Sequence, residues 1–346
     1  MKLSQKTIRF VLLIIFVPVI ITAIWMHQSN KKLIIAHSFY NSSLQTNILR
    51  LFTDNVELDT NDEIHFQISR TEEMLWPGSR LSELAETGKV DISSFLLSAF
   101  SPEPTPFCAG SLPFIAQNFD QAKALWAVQK SYIEKTLDDN NMMPLFVVPW
   151  PPQGLFLKKP LTKNQDLQKI KIRVFDKMGY AFIQKMGFTP VLTENHEISK
   201  AIGNGSVDGS LGSKTHFYDF NYINTLPYYY DLKLMLPKYI VVMNKKSFQR
   251  LPDEKQQAIL KNAHFTSSLS WRLNIADEYK KTMIMKKSYE KIPAWFKQKA
   301  RRVSIEIIFD WVKAHPQNKA LLKEYKRYLR ENNIAPPEIL NKISVP

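Results

Sequence analysis

The side chain best suited to ligand chemistry is Arg173, which lies near the end of the alternating run Ile170-Lys171-Ile172-Arg173-Val174. Apolar residues at every second position are typical of a strand with one buried face. An arginine there presents a planar, permanently charged guanidinium, which matches a carboxylate through two parallel hydrogen bonds. The pattern therefore predicts either a carboxylate-binding arginine or an exposed strand arginine paired with a nearby acid.

Signatures of catalysis are missing from the sequence. It has no glycine-rich nucleotide loop, no G-x-S-x-G motif and no H-x-x-x-H pair, and its seven histidines are scattered. The single cysteine, Cys108, excludes an internal disulfide and a cysteine metal cluster. Asp208, between a valine and a glycine, fits a turn better than a catalytic acid. We therefore predict a binding protein with no catalytic residues, no metal and no cofactor.

Strands and helices alternate on both sides of Arg173. The predicted strands cover residues 33–38, 64–69, 90–95, 145–150, 170–174, 189–192 and 239–244. The predicted helices cover residues 44–56, 81–88, 120–129, 132–140, 176–186 and 197–202, with a long helix from 251 toward 289 and amphipathic helices around 296–314 and 321–329. This alternation indicates βαβ units and a mainly parallel sheet, which is an α/β fold.

Five segments resemble, in their order, motifs of the solute-binding receptors of tripartite ATP-independent periplasmic (TRAP) transporters. They are Gly88–Ile92, Leu112–Ile115, Asn164–Val174, Lys185–Leu192 and Ala201–Gly209. The resemblance implies a two-lobed fold like that of periplasmic binding proteins, with a ligand cleft between the lobes and a long helix that spans both. It also implies that the protein passes a small organic carboxylate to TRAP membrane permease subunits.

The length and the resemblance together predict two lobes. A chain of 346 residues is longer than a single hydrophobic core usually supports. We assign residues 30–152 and 239–270 to lobe I. Residues 153–238 and 271–346, which include the C-terminal amphipathic helices, are assigned to lobe II. The proline-rich run Pro151-Pro152-Gln153-Gly154 is predicted to be a crossing between the lobes.

The N-terminal residues 1–29 have the pattern of a secretory signal. Lys2, Lys6 and Arg9 precede the apolar run Phe10–Ile21, which is too short and too proline-interrupted for a comfortable membrane span. No clean small-x-small cleavage step follows, so the segment is either a signal peptide or an uncleaved signal anchor. We therefore expect the protein in the periplasm, with inner-membrane contact through this segment if it is retained.

The resemblance also implies which residues bind the ligand. Arg173 would hold the ligand carboxylate in the cleft, and the segment after the V-D-G turn would line the same cleft. Three aromatic residues are candidate walls, although each of them also fits an ordinary core position. The predicted ligand-binding residues are Arg173, Trp150, Phe175, Gly209, Ser210, Ser213 and Phe217.

Two departures from the family pattern bear on the ligand. Leu155 stands where members of the family often carry a second arginine, and Ser210-Leu211 replaces a more polar continuation. With fewer charged groups in the cleft, a second ligand carboxylate would be buried without a partner, which is costly. We therefore expect a monocarboxylate with an apolar or aromatic body to bind better than a C4-dicarboxylate.

The chain is strongly basic, with a formal net charge of +14. Much of the excess lies in residues 281–346, which contain fifteen Lys or Arg and six Asp or Glu. Charges on amphipathic helices usually form a solvated face, so we predict no nucleic-acid partner. The alternative function is that of a basic envelope protein that associates with a membrane or a protein through this C-terminal face.

Overall fold

Two separate five-stranded sheets form the frame of the molecule. The computed structural model describes residues 32–39, 43–70, 80–100, 105–163, 166–194, 197–285 and 289–343. The predicted leader, residues 1–29, lies outside the described residues. Among the described residues, no helix is both long enough and apolar enough to cross a membrane.

The strands in the described ranges are β1 Lys32–His37, β2 His65–Arg70, β3 Ile92–Leu96, β4 Met142–Pro149, β5 Gln153–Leu157, β6 Lys171–Val174, β7 Thr189–Leu192, β8 Gly209–Ser213, β9 Tyr228–Tyr230 and β10 Lys238–Asn244. The seven predicted strands lie close to their predicted positions, and three short strands, β5, β8 and β9, are added.

Both sheets have the same topology. The order is β2-β1-β3-β10-β4 in lobe I and β7-β6-β8-β5-β9 in lobe II. In each sheet three parallel strands are followed by two strands in antiparallel pairing. The chain enters lobe II after β4 and returns to lobe I with β10, so two connecting segments of the chain cross between the lobes here. These observations confirm the predicted α/β class and its two-lobed form.

Ten α-helices cover the sheets in the described ranges. They are α1 Leu44–Asp59, α2 Leu81–Glu86, α3 Phe119–Asp139, α4 Lys177–Lys185, α5 Ile198–Gly203, α6 Lys214–Asp219, α7 Lys245–Gln249, α8 Asp253–Met285, α9 Ala294–Ala314 and α10 Pro316–Glu331.

The prediction of two helices between residues 120 and 140 is wrong, because α3 runs through without a break. Its N-cap, Asn118, accepts a hydrogen bond from Gln121 N. Leu125, Ile133 and Leu137 lie on one buried face across the point where the break was expected. Ser131 has only a modest helix penalty, and the packing of that face outweighs it.

Helix α8 connects the two lobes. Its 33 residues give it a length of about 50 Å. Ser270 Oγ in this helix donates to Val147 O of β4, 2.8 Å away, in lobe I. Further along α8, Asp277 Oδ2 accepts from Thr215 Oγ1 of α6, 2.6 Å away, in lobe II. The long helix that spans both lobes is thereby confirmed.

The C-terminal helices also pack against both sides of the molecule. Tyr325 Oη of α10 donates to the carbonyl oxygens of Ile115 and Gln121, each 3.1 Å away. Lys185 at the end of α4 forms an ion pair with Glu306 of α9. The predicted apolar stripes of these two helices are mostly buried, with Tyr328 half-buried and Ala314, at the end of α9, exposed.

Candidate functional site

A small cavity lies between the two sheets and is lined from both lobes. Its volume is about 30 Å³. Strands β3 and β10 and the end of β4 bring lobe I residues to it, and β5, β6, β8 and α6 bring lobe II residues. The lining residues are Leu96, Trp150, Gln153, Arg173, Phe175, Gly212, Ser213, His216, Pro237 and Tyr239.

Arg173 forms the charged part of the wall. It is buried at the carboxyl end of β6, between the buried strand residues Ile172 and Val174. Its Nε donates to Thr193 O at 3.2 Å, and its Nη1 approaches Leu211 O at 3.5 Å. These carbonyls orient the guanidinium, which can then accept a ligand anion with little further ordering.

Two turns next to β6 explain why the arginine lies there. Asp208 Oδ2 accepts from Lys171 N at 3.0 Å, so this carboxylate supports the start of β6 and has the predicted turn role. At the other end, Asp176 caps α4 by accepting from Gly179 N at 2.8 Å. Strand β6 and the segment after it are thus fixed on both sides of Arg173.

Beside the guanidinium lies a neutral imidazole. His216 follows Ser213 by one helical turn, and Ser213 Oγ caps α6 by accepting from His216 N at 3.2 Å. Burial, together with the positive charge of Arg173, lowers the pKa of His216 to about 3. The imidazole is therefore uncharged at neutral pH, and it can offer a ligand polar contact without a second charge.

The lobe I wall consists of rings and apolar groups. The rings of Trp150 and Tyr239 pack with their centroids 5.8 Å apart. Trp150 Nε1 is buried and has no hydrogen-bond partner within the described ranges. A buried indole N–H usually finds an acceptor, so this donor is a natural contact for a ligand oxygen.

Hydrogen bonds also join the two chain crossings that flank the cavity. Trp150 N donates to Pro237 O at 2.9 Å, and Gln153 N donates to Met235 O at 3.0 Å. These backbone bonds tie the two crossings together beside the cavity.

Four of the predicted ligand-binding residues line the cavity, namely Arg173, Trp150, Phe175 and Ser213. Three others lie behind its wall. Gly209 allows close strand packing, because a Cβ there would lie 2.4 Å from Phe156 O. Ser210 Oγ donates to Leu211 O at 2.8 Å.

The third residue behind the wall, Phe217, supports it from the rear. Its ring stacks on Phe156 with centroids 3.7 Å apart. A Cβ on the lining residue Gly212 would lie 2.4 Å from a ring carbon of Phe217. Leu155, which stands where the family often carries a second arginine, is buried in β5 and pairs with Leu211.

Sequence reasoning missed six lining residues, which are Leu96, Gln153, Gly212, His216, Pro237 and Tyr239. One signal was available for His216, because it follows the predicted residue Ser213 by one helical turn. The missed residues of lobe I gave no such signal. They reach the cavity only because β3 and β10, which are far apart in the sequence, pair in the sheet.

Helix α6 is held in place by charged contacts with α8. Lys214, which follows the cavity residue Ser213, is buried and pairs with Glu278 at 2.6 Å. Lys281 of α8 pairs with Asp219 at the other end of α6. These ion pairs position the His216 side of the cavity relative to the helix that spans both lobes.

The arrangement suits binding rather than bond chemistry. It offers one cation, several neutral donors and an apolar wall. Among the described residues, no group of three or more His, Cys, Asp or Glu side chains is placed to hold a metal ion.

Comparison with known proteins gives a consistent result. The family model for bacterial extracellular solute-binding protein, family 7 (DctP) matches residues 35–308. An extracytoplasmic solute receptor of Bordetella pertussis that binds pyroglutamic acid is similar, with 25% identity and a TM-score of 0.80, covering 86% of this chain and 99% of that one.

Two further solved structures share the fold. A TRAP solute-binding protein from a marine metagenome, specific for pyroglutamate, has 23% identity and a TM-score of 0.81, covering 86% of this chain and 99% of that one. A TRAP periplasmic solute-binding protein of a Sulfitobacter species, with bound β-D-galacturonate, has 18% identity and a TM-score of 0.76, covering 86% and 100%. None of these matches supports the alternative of a basic envelope protein.

Proposed function

The chain belongs to the DctP family of bacterial extracellular solute-binding proteins, and on that premise we propose that it captures a compact organic monocarboxylate whose charge is held by Arg173. As a member of this family it is an extracytoplasmic solute receptor of the TRAP type. The observation that carries the proposal is a buried guanidinium, oriented by two carbonyls, in the wall of a cavity between the two lobes.

The neutral groups around Arg173 narrow the ligand class. His216 carries no charge at neutral pH, and Leu155 occupies the position where a second arginine often stands. A second carboxylate would therefore be buried without a cation to balance it. A ligand with one carboxylate and a neutral carbonyl or N–H fits the indole of Trp150 and the imidazole of His216 better.

Pyroglutamate satisfies these requirements, and we propose it as the ligand. It carries one carboxylate on a small lactam ring, whose carbonyl and N–H are both neutral. The cavity between the lobes is small, so a compact ring would need less displacement of its walls than an extended sugar acid. The similar receptor of Bordetella pertussis binds pyroglutamic acid, which supports the same choice for this chain.

We further propose that the ligand is delivered to TRAP membrane permease subunits, and that the chain has no catalytic activity of its own. The remaining predicted ligand-binding residues, Gly209, Ser210 and Phe217, are proposed to shape the cleft through backbone packing and support of its wall. We also propose that the lobes divide at the boundaries predicted from the sequence. The N-terminal apolar segment is proposed to contact the inner membrane if it is retained.

Isothermal titration calorimetry of the purified protein tests the ligand. We expect pyroglutamate to bind with a Kd of about 1 µM or lower, which corresponds to about −8.2 kcal/mol. Succinate and galacturonate should bind at least about a hundredfold more weakly, because of the unpaired second carboxylate and of ligand size respectively. Sub-micromolar binding of succinate would contradict the proposed monocarboxylate class.

A further inference from the structure

The chain segment that begins with Arg173 continues into a second buried ionisable group, the carboxyl of Asp176, whose pKa is raised by burial. This side chain is 4% exposed and lies three residues after Arg173, with the lining residue Phe175 between them. Its Oδ1 caps α4 by accepting from Gly179 N at 2.8 Å. Its Oδ2 accepts from Ser98 Oγ at 2.7 Å.

The hydrogen bond to Ser98 joins the two lobes. Ser98 lies in the 3₁₀ turn Leu97–Ala99, directly after β3 of the lobe I sheet. Asp176 follows β6 of the lobe II sheet. Ser98 is buried and accepts from Ser111 Oγ at 3.1 Å, so its own hydroxyl is held in position from within a second turn, Pro106–Ser111.

Both partners are close in sequence to residues that line the cavity. Ser98 follows the lobe I lining residue Leu96 by two positions, and Asp176 follows Arg173 by three. Bringing Ser98 to Asp176 therefore brings Leu96 toward Arg173 across the cavity. We propose that the Ser98–Asp176 hydrogen bond is the interlobe contact that holds the cleft closed over the ligand, and that Asp176 is a positioning residue for ligand retention.

The cap on α4 explains why this carboxyl is suited to the task. Since Oδ1 is occupied within lobe II, the rotamer of Asp176 is fixed whether the lobes are open or closed. Closure then exchanges one water contact of Oδ2 for the Ser98 hydroxyl in a buried place, where a hydrogen bond is electrostatically stronger than in water. The inference rests on the proposed function, because it assumes a ligand that is enclosed by closure.

Two variants separate the interlobe role of the Ser98–Asp176 bond from the role of Asp176 as the cap of α4. Ser98→Ala removes the bond from Ser98 and leaves Asp176 and the cap of α4 intact, while the side chain of Ser111, which also hydrogen-bonds the Asp176 carboxyl, is unchanged. Asp176→Asn keeps an oxygen acceptor for Gly179 N and replaces the Oδ2 acceptor of the Ser98 bond with an amide NH2 group, which donates. Ser93→Ala is the matched control, since Ser93 Oγ is buried in β3 and donates to Leu81 O at 2.7 Å within lobe I.

Closure is measured as an interlobe distance. Labels at Lys130→Cys on α3 and Lys200→Cys on α5 report one lobe each, and both positions are exposed. The native Cys108 is buried, and burial raises its thiol pKa to about 12, so it does not react with the label at neutral pH. Distance distributions are recorded with and without pyroglutamate, and dissociation of pyroglutamate is followed by stopped flow.

For Ser98→Ala we expect the ratio of closed to open molecules to fall about tenfold. We also expect pyroglutamate to dissociate about tenfold faster, with an unchanged association rate. A tenfold change corresponds to about 1.4 kcal/mol. Asp176→Asn should change both quantities in the same direction, and Ser93→Ala should change neither.

The proposal is overturned if Ser98→Ala stays within twofold of wild type in both quantities, or if wild type shows no closed molecules in either condition. If wild type does not bind pyroglutamate, only the proposed ligand is contradicted. The distance distributions without ligand then test whether the Ser98–Asp176 bond holds the cleft closed.

Discussion

The two walls of the cavity differ in chemistry. Lobe II contributes the guanidinium of Arg173 together with the neutral polar groups of Ser213 and His216, whereas lobe I contributes Trp150 and Tyr239 with apolar neighbours. In the proposed binding mode, charge recognition is therefore concentrated in lobe II. Lobe I would supply shape and would exclude water from the charge when the cleft closes.

This asymmetry has a physical advantage for a receptor that must release its ligand. A carboxylate that docks on lobe II meets an arginine that is already oriented by the carbonyls of Thr193 and Leu211. Closure of lobe I then lowers the local dielectric and strengthens that pair. When lobe I moves away, water returns and the same pair weakens, so release needs no chemical change in the site.

The largest expected effect is the loss of Arg173. We expect Arg173→Ala to weaken pyroglutamate binding by about 2–5 kcal/mol, because a buried charge pair loses one partner. Arg173→Lys should recover only part of this loss, since an ammonium cannot form the two parallel hydrogen bonds. Calorimetry measures both, and circular dichroism checks the fold. Wild-type affinity in Arg173→Ala would place the charge recognition elsewhere.

A smaller effect is expected in the lobe I wall. Trp150→Phe keeps an aromatic ring but removes the indole N–H, and we expect a loss of about 1 kcal/mol of binding free energy. Trp126→Phe is the control, because this half-buried tryptophan in α3 does not line the cavity. If Trp150→Phe cost as much as Arg173→Ala, the contrast between a charged and a neutral wall would be wrong.

The charged wall could be predicted from the sequence because its signals are local. Arg173 lies in a four-residue strand with clear alternation, and its neighbouring turn at Asp208 has a typical composition. The family resemblance then gave the two lobes, the cleft and the long helix. Ser213 was predicted because the resemblance places the segment after the V-D-G turn in the cleft, and in the structure it ends the strand formed by that segment.

The neutral wall could not be predicted in the same way. Leu96 and Tyr239 lie in strands that are buried throughout, so their patterns do not indicate which side chains face the other lobe. Strand β5 was not predicted, because Pro151 and Pro152 directly before it indicate a crossing between the lobes. Phe217 was predicted as a wall residue, but its place behind Gly212 depends on tertiary packing that no local pattern contains.

The pH dependence of binding should be nearly flat. Because the pKa of His216 is lowered to about 3, the imidazole stays neutral in the folded protein between pH 5 and 8, and we expect the Kd for pyroglutamate to change less than about threefold there.

Stability should respond to the same group. In the unfolded chain the imidazole has a pKa of about 6.5, so the unfolded state binds more protons below that pH, and stability falls from about pH 6.5 toward pH 3. Urea unfolding at pH 7 and pH 4.5 measures this, and His216→Gln should lose less stability between the two than wild type. Equal losses would show that His216 does not titrate as a buried neutral group.

The smallest expected effect on binding concerns Lys238, the first residue of β10 in the sheet of lobe I. Lys238 lies between the lining residues Pro237 and Tyr239, but its side chain points to the other face of β10, where a Cβ on Gly110 would lie 2.9 Å from its Nζ. Its amine is buried with no hydrogen-bond partner among the described residues, and burial lowers its pKa to about 7.

Replacing this lysine should therefore change stability and leave binding alone. In the unfolded chain a lysine has a pKa of about 10.4, so between about pH 7 and pH 10 the unfolded state binds more protons, and wild-type stability rises with pH across that window. Below pH 7 the full cost of the buried charge remains.

We expect Lys238→Met to be more stable than wild type by about 1–3 kcal/mol at pH 6, where an unsatisfied polar group is removed, and the gain to shrink toward pH 9. Urea unfolding at both pH values measures the difference, and calorimetry should give an unchanged Kd for pyroglutamate. A marked loss of affinity in Lys238→Met would mean that lobe I does supply charge to the ligand, against the division between the two walls.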